Sequence, residues 1–283
     1  MVSESSSQLE EICATCGERL RGAFCSACGE KKIRPEKDLA LRKFIEQAVD
    51  GFTHFDNKFF RSFGLLLARP GFLTAEYITG RRVKYMKPVQ IFILASLLFF
   101  VVSPNTGSFY ALLEEMQSGH RTGSRLENLF RYDIDAKLVQ AARAESLPAR
   151  DVWFRTEAAA AKKSKTFLFA MLPVWALMLY GLFRRRNAYY VPHLVFAVHS
   201  FSFFLLLDLA YINALFLFTD YISDLMILPI VLAFAGYVVL GMKRAYGVPL
   251  GEALFKGAAG IIGLFLIILI YRQLITIWAL SSH

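Results

Sequence analysis

Four cysteines, all within the first thirty positions, are the residues best suited to chemistry in this chain. They form two units, Cys13-Ala-Thr-Cys16-Gly17 and Cys25-Ser-Ala-Cys28-Gly29. Each pair puts two sulfurs on one side of a tight turn, and the glycine that follows lets backbone amides turn toward the thiolates. Four thiolates suit a tetrahedral zinc ion. Two disulfides or a redox dithiol pair are the competing chemistries, against which the doubled unit and its glycines argue. Thiolates require a reducing compartment, and no signal peptide is read in the polar, serine-rich residues 1–11. A closed four-sulfur site keeps no open coordination position, so the zinc is expected to be structural. A ribbon this small folds around its metal and serves as a docking module, here for a cytoplasmic protein partner.

A second group is polar residues inside apolar stretches: His193, His199, Asp208, Asn213 and Arg272. An ionisable residue in such a stretch is a functional-site hypothesis by default. His193 and His199 are six residues apart, roughly 240° around a helix, and cannot jointly hold one ion from that helix alone. His193 falls near the interface beside Arg184, Arg185 and Arg186, whereas His199 is placed to hydrogen-bond across helices. Asp208 lies fourteen residues past Leu194, and Arg272 fourteen past Ala258, which is roughly 21 Å of helix in each case. Matched depth permits a salt bridge; the alternative is that Arg272 snorkels outward while Asp208 is protonated or meets water. Asn213 and Gln273 could extend the polar patch.

The elements that carry these residues are apolar. With 283 residues, 55% hydrophobic and 14% aromatic, and a mean hydropathy of +0.42, the composition is that of an all-α integral membrane protein. Hydrophobic spans are expected over Pro88 to Val102, Thr166 to Phe183, Pro192 to Phe218, Ile222 to Met242 and Ala258 to Leu280, making a five-transmembrane-helix bundle. The expected organisation is a disordered segment (1–11), the zinc ribbon (12–34), a linker with interfacial amphipathic helices (35–87), and a membrane domain (88–283) with an extracytoplasmic loop (103–165). Within the linker a helix is expected from Leu39 to Gly51; within the loop, surface helices over Glu127 to Glu145 and Asp151 to Lys163, the latter with Trp153 and Phe154. Gly257, Gly260 and Gly263 suit close helix packing. No internal repeat is read. The net charge of +9 sits beside apolar spans, where it serves topology and anionic lipid rather than nucleic acid. Arg184 to Arg186, Lys243, Arg244 and Lys256 mark cytoplasmic loops, and Asp220 and Asp224 an outer one. This orientation gives a cytoplasmic N-terminus and an extracytoplasmic C-terminus in a bacterial inner membrane.

The stretch from Phe52 to Val102 joins ribbon to bundle. Phe52, Phe55, Phe59, Phe63 and Leu66 share a helical face, with Asp56, Asn57, Lys58, Arg61 and Ser62 mostly opposite. Such a helix can lie in the headgroup plane or pack on its own domain. Arg69-Pro70-Gly71 breaks it, a short helix from Leu73 to Thr79 follows, and Gly80 caps that helix. Arg81, Arg82, Lys84 and Lys87 then gather where the chain meets anionic headgroups. This stretch resembles a bacterial family of multi-pass membrane proteins with an amino-terminal zinc ribbon, the domain-of-unknown-function 3667 family. The resemblance is carried by Phe55-Asp56-x-x-Phe59, Arg69-Pro70-Gly71, and Tyr77-Ile78-x-Gly80-Arg81-Arg82 before Tyr85 and Pro88. It extends to Tyr189 through Phe201, although Pro192 and Phe201 stand where the family pattern has an acidic residue and a further histidine. The resemblance implies the architecture and no activity.

No Walker loop, dinucleotide fingerprint, HExxH or nucleophile elbow is present. The expected function is a non-catalytic inner-membrane adaptor whose zinc ribbon docks a cytoplasmic partner. The alternatives are a transporter or lipid-handling protein using Asp208, Arg272 and His199, and, third, a membrane-embedded enzyme using the histidines.

Overall fold

The computed structural model describes residues 12–44, 58–102, 139–140, 142–143, 146–148, 151–152, 170–186, 188–216 and 224–281. Among them there is no strand, only two isolated bridges, Ile12 with Arg19 and Phe24 with Lys31. These bridges close two knuckles that repeat each other at an interval of twelve residues, an internal repeat that the sequence reading passed over because each copy is so short. The expected helix from Leu39 to Gly51 falls partly, and the outer loop with Trp153 and Phe154 almost wholly, outside the described residues.

Helix α1 (Pro35–Asp38) opens on proline, whose missing amide hydrogen costs nothing at a helix start. Helix α2 (Lys58–Ala68) buries Ser62 and Leu66. Ser62 therefore lies on the inward face rather than the polar one, because its Oγ accepts the Met86 amide hydrogen at 2.9 Å. After α2 the chain turns at Gly71 (φ 72°) into α3 (Phe72–Thr79), which Gly80 (φ 92°) caps in the left-handed region that favours glycine.

The apolar helices are α4 (Pro88–Val102), α5 (Ala170–Phe183), α6 (Tyr190–Phe216), α7 (Asp224–Tyr246) and α8 (Leu250–Ser281). Three of them, α6, α7 and α8, are long and apolar enough to cross a membrane. Helix α4 has fifteen residues, about 22 Å of rise, against a hydrocarbon core of about 30 Å. It and α5 are apolar but shorter than a full span. Helix α6 starts two residues earlier than expected, with Pro192 in its first turn, where proline is tolerated.

Helix α6 is the central one. Its apolar window is 72% buried, against 22% for that of α8. Helix α4 lies along it, α3 packs on both α6 and α7, and α7 packs on α8. A β-carbon at Gly257 would come within 2.7 Å of Val239, and the Trp175 indole donates to the Gly260 carbonyl at 3.0 Å. These glycines thus serve close packing. The basic helix ends gather at one end of the bundle. Arg186 reaches Glu252 at 3.1 Å, Nδ1 of His193 meets the Tyr246 hydroxyl at 3.0 Å, and Arg244 donates to the Pro70 carbonyl at 2.9 Å. The Pro70-Gly71 turn is seated on α7 so tightly that a β-carbon at Gly71 would fall 2.3 Å from the Gly241 carbonyl oxygen.

Candidate metal centre and interfacial cavity

The knuckles are built by short-range backbone bonds. The amides of Gly17 and Gly29 donate to the carbonyls of Cys13 and Cys25 at 3.0 and 2.9 Å, and the amides of Cys13 and Cys25 donate to Glu18 and Glu30, each at 2.8 Å. Left-handed Gly17 and Gly29 make this turn possible. All four sulfurs lie within 4.8 Å of one another. Cys13 and Cys28 are 3.6 Å apart, and Cys16 and Cys25 3.5 Å. A tetrahedral ion with metal–sulfur bonds of about 2.3 Å holds its sulfurs about 3.8 Å apart, whereas a disulfide brings them to about 2.05 Å. The cluster therefore fits a metal ion. The backbone amides of Cys16 and Thr15 lower the Cys13 thiol to about 7. Cys28 has similar help from Glu30, but burial and its three thiol neighbours push it up to about 12. Successive thiolates repel one another, and a divalent cation would relieve that repulsion.

One carboxylate fastens this ribbon to the rest of the chain. Glu30, 4% exposed, accepts from the Thr15 hydroxyl at 2.7 Å and from the amides of Arg82 and Val83 at 3.0 and 3.1 Å. The ribbon's neighbour α1 adds a second tie, Lys31 to Asp38 at 2.5 Å. Burial pushes the Asp38 carboxyl up, but the Arg34 amide and Lys31 outweigh it and hold it below its ordinary value. The basic turn beyond α3 faces inward more than the sequence suggests. Arg81 forks onto Glu76, both contacts of its Nε at 2.9 Å. The Arg82 guanidinium stacks 3.7 Å above the Tyr77 ring and donates to the Tyr77 carbonyl at 3.1 Å; desolvation draws its pKa down. Lys84 is exposed and Lys87 half-buried.

Between ribbon and bundle lies a cavity of about 320 Å³. Its walls bring together Lys31 of the ribbon, Lys58 of α2, the Arg81–Lys87 turn, Val89 of α4 and His199 of α6. His199 is buried, and its Nδ1 meets the Thr74 hydroxyl of α3 at 2.9 Å. His193 is elsewhere, stacked on Tyr246 at 5.2 Å between ring centroids. The two histidines are thus kept apart, as their spacing requires. Asp208 is buried. Asn213 is exposed and donates to the Leu209 carbonyl at 2.6 Å. The side chain of Arg272 lies outside the described residues, and with it the question of its pairing with Asp208.

Sequence reasoning missed Glu30, Glu76 and Thr74. Glu76 carried a signal, as the lone acid in the apolar stretch Phe72–Thr79, five residues before Arg81. Residues 56–100 match the model of a family described as a protein of unknown function (DUF3667). The resemblance read from the motifs is therefore real over α2, α3, the basic turn and most of α4. No curated protein and no solved structure matches the chain. The DUF3667 stretch contains Gly80, Arg82 and Val83, against which the ribbon rests, and Gly71, which seats the turn on α7; it stops short of both histidines.

Proposed function

We propose that the chain is a five-span protein of a bacterial inner membrane, with a cytoplasmic zinc ribbon that acts as a non-catalytic adaptor for a cytoplasmic protein. Zinc is the ion that a closed set of four thiolates suits best. The single observation that carries the adaptor reading is the Glu30 clamp: it fixes the ribbon in one orientation on the bundle while Ile12 stays 64% exposed. A rigid seat presents a binding face without the cost of ordering it. Support for the orientation comes from the convergence of Arg186, Arg244 and Lys256 at one end of the bundle, as the positive-inside tendency favours. In the five-span reading α4 and α5 cross with help from flanking lysines and arginines, and Lys84 and Lys87 meet anionic lipid.

The test is affinity purification of the full chain from native membranes beside Ile12→Asp. A cytoplasmic protein retained in stoichiometric amount by the parent, and lost with Ile12→Asp while metal content holds, is the expected result. Retention indifferent to that substitution would sink the adaptor reading. The transporter or lipid-handling reading draws on a different observation, the cavity walled by His199.

A further inference from the structure

The cavity beneath the ribbon has two chemically distinct halves. One is basic: among the described residues Lys31, Lys58, Arg81, Arg82 and Lys87 line it beside two acids, Glu30 and Asp38. Both acids are already engaged, Asp38 by Lys31 and Glu30 by two backbone amides and a hydroxyl. Glu76 answers Arg81 from behind. The Arg82 guanidinium rests on the Tyr77 ring face, and one of its nitrogens is buried without a hydrogen-bond partner among the described residues. Among the described residues, Lys58 and the Arg82 guanidinium thus bring donors to this half of the cavity. The other half is apolar, formed by Ile33, Phe44, Leu73, Met86 and Val89. Pro88 and Val89 open an apolar helix, so this half meets the level at which hydrocarbon begins.

We propose that this cavity is a built site for the headgroup of an anionic phospholipid. Lys58 and Arg82 face its phosphate, and Leu73, Met86 and Val89 take the first methylenes of its chains. Nδ1 of His199 is engaged by Thr74, which leaves Nε2 to meet a headgroup hydroxyl. The volume of about 320 Å³ lies at the small end of ligand pockets, enough for a headgroup whose chains remain in the bilayer. The shared chemistry is a phosphate ester; the apolar half favours the lipid over a soluble ester. This is a saturable site, distinct from diffuse attraction of Lys84 to a charged surface, and it does not depend on the adaptor reading.

The experiment uses the full metal-loaded chain in neutral detergent, titrated with phosphatidylglycerol, phosphatidylcholine and glycerol phosphate and read by native mass spectrometry. One phosphatidylglycerol per chain should be retained, with phosphatidylcholine and glycerol phosphate each roughly tenfold weaker or more, the size of one charge-assisted contact. Lys58→Glu, at an exposed position, and Val89→Trp, which fills the apolar half, should each weaken phosphatidylglycerol by a similar factor. Ile12→Asp should leave its affinity unchanged, so that this proposal and the adaptor reading fail separately. Equal retention of the two lipids overturns the proposal, as does phosphatidylglycerol affinity untouched by Lys58→Glu. Glycerol phosphate binding as tightly as phosphatidylglycerol overturns the lipid assignment.

Discussion

Two contacts fasten the peripheral parts of this chain to its bundle, and they work by opposite means. The ribbon is held by a charge, with Ile33 packed close on Gly80 beside it: the Glu30 carboxylate takes two backbone hydrogens of the Arg82-Val83 turn. The Pro70-Gly71 turn is held by shape: glycine meets glycine where no β-carbon fits, and the Arg244 to Pro70 hydrogen bond adds polarity. A charge contact tolerates small displacements and weakens when the charge is removed. A shape contact tolerates neither a methyl group nor a change of dihedral angle. The ribbon can therefore detach without disturbing the bundle, whereas the α2–α3 turn cannot.

The strongest way to break this contrast is to remove the metal. Structural four-sulfur sites hold about 10 kcal/mol or more of folding free energy in the ion. Cys25→Ser, or chelation, should therefore unfold residues 12–34 and expose the amides of Arg82 and Val83 to hydrogen exchange, while α6 and α7 keep their protection. Metal affinity should also fall with acidity, since the thiols must lose protons to bind. Next in size is Gly71→Ala, which meets both a left-handed backbone and the Gly241 carbonyl; a loss of about 2–4 kcal/mol is expected in thermal or chemical unfolding. Gly64→Ala in α2, with nothing within 4 Å, should instead stabilise by up to about 1 kcal/mol. If both substitutions behave alike, the shape contact is not as described. Glu30→Gln should cost about 1.5–3 kcal/mol of docking, seen as faster exchange at Val83 with the metal still bound. The smallest effect concerns Asp38. Its folded pKa lies below the unfolded one, so its contribution is present above the unfolded value and is lost as pH falls through the folded one. Proteolysis between ribbon and α2 should accelerate below about pH 4, and Asp38→Asn should remove that dependence.

Much of the local architecture was legible in the sequence because its causes are local. The C-x-x-C-G spacing specifies the knuckles, Arg69-Pro70-Gly71 the break, and Gly80 the cap, each within a few residues of its effect. What was not legible depends on partners far along the chain. Glu30 meets Arg82 and Val83 at separations of 52 and 53 residues, and Thr74 meets His199 at 125. Hydropathy placed the apolar helices but could not show that Arg81 and Arg82 turn inward, because that depends on how the turn after Gly80 folds back on Glu76 and Tyr77.

The duplicated knuckle has one more consequence. A module whose halves are nearly interchangeable can in principle sit down in two poses, with Glu18 taking the place of Glu30. The halves differ where it matters: Thr15 between the first cysteines supplies the hydroxyl that Glu30 accepts at 2.7 Å, whereas the matching residue of the second half is Ala27. In the rotated pose Glu18 would face a methyl group and lose that bond. A hydrogen bond to a charged group is worth about 1.5–3 kcal/mol, enough for a preference of roughly tenfold or more. That hydroxyl, together with the Lys31 to Asp38 pair, breaks the degeneracy of the ribbon and favours one way round on the bundle.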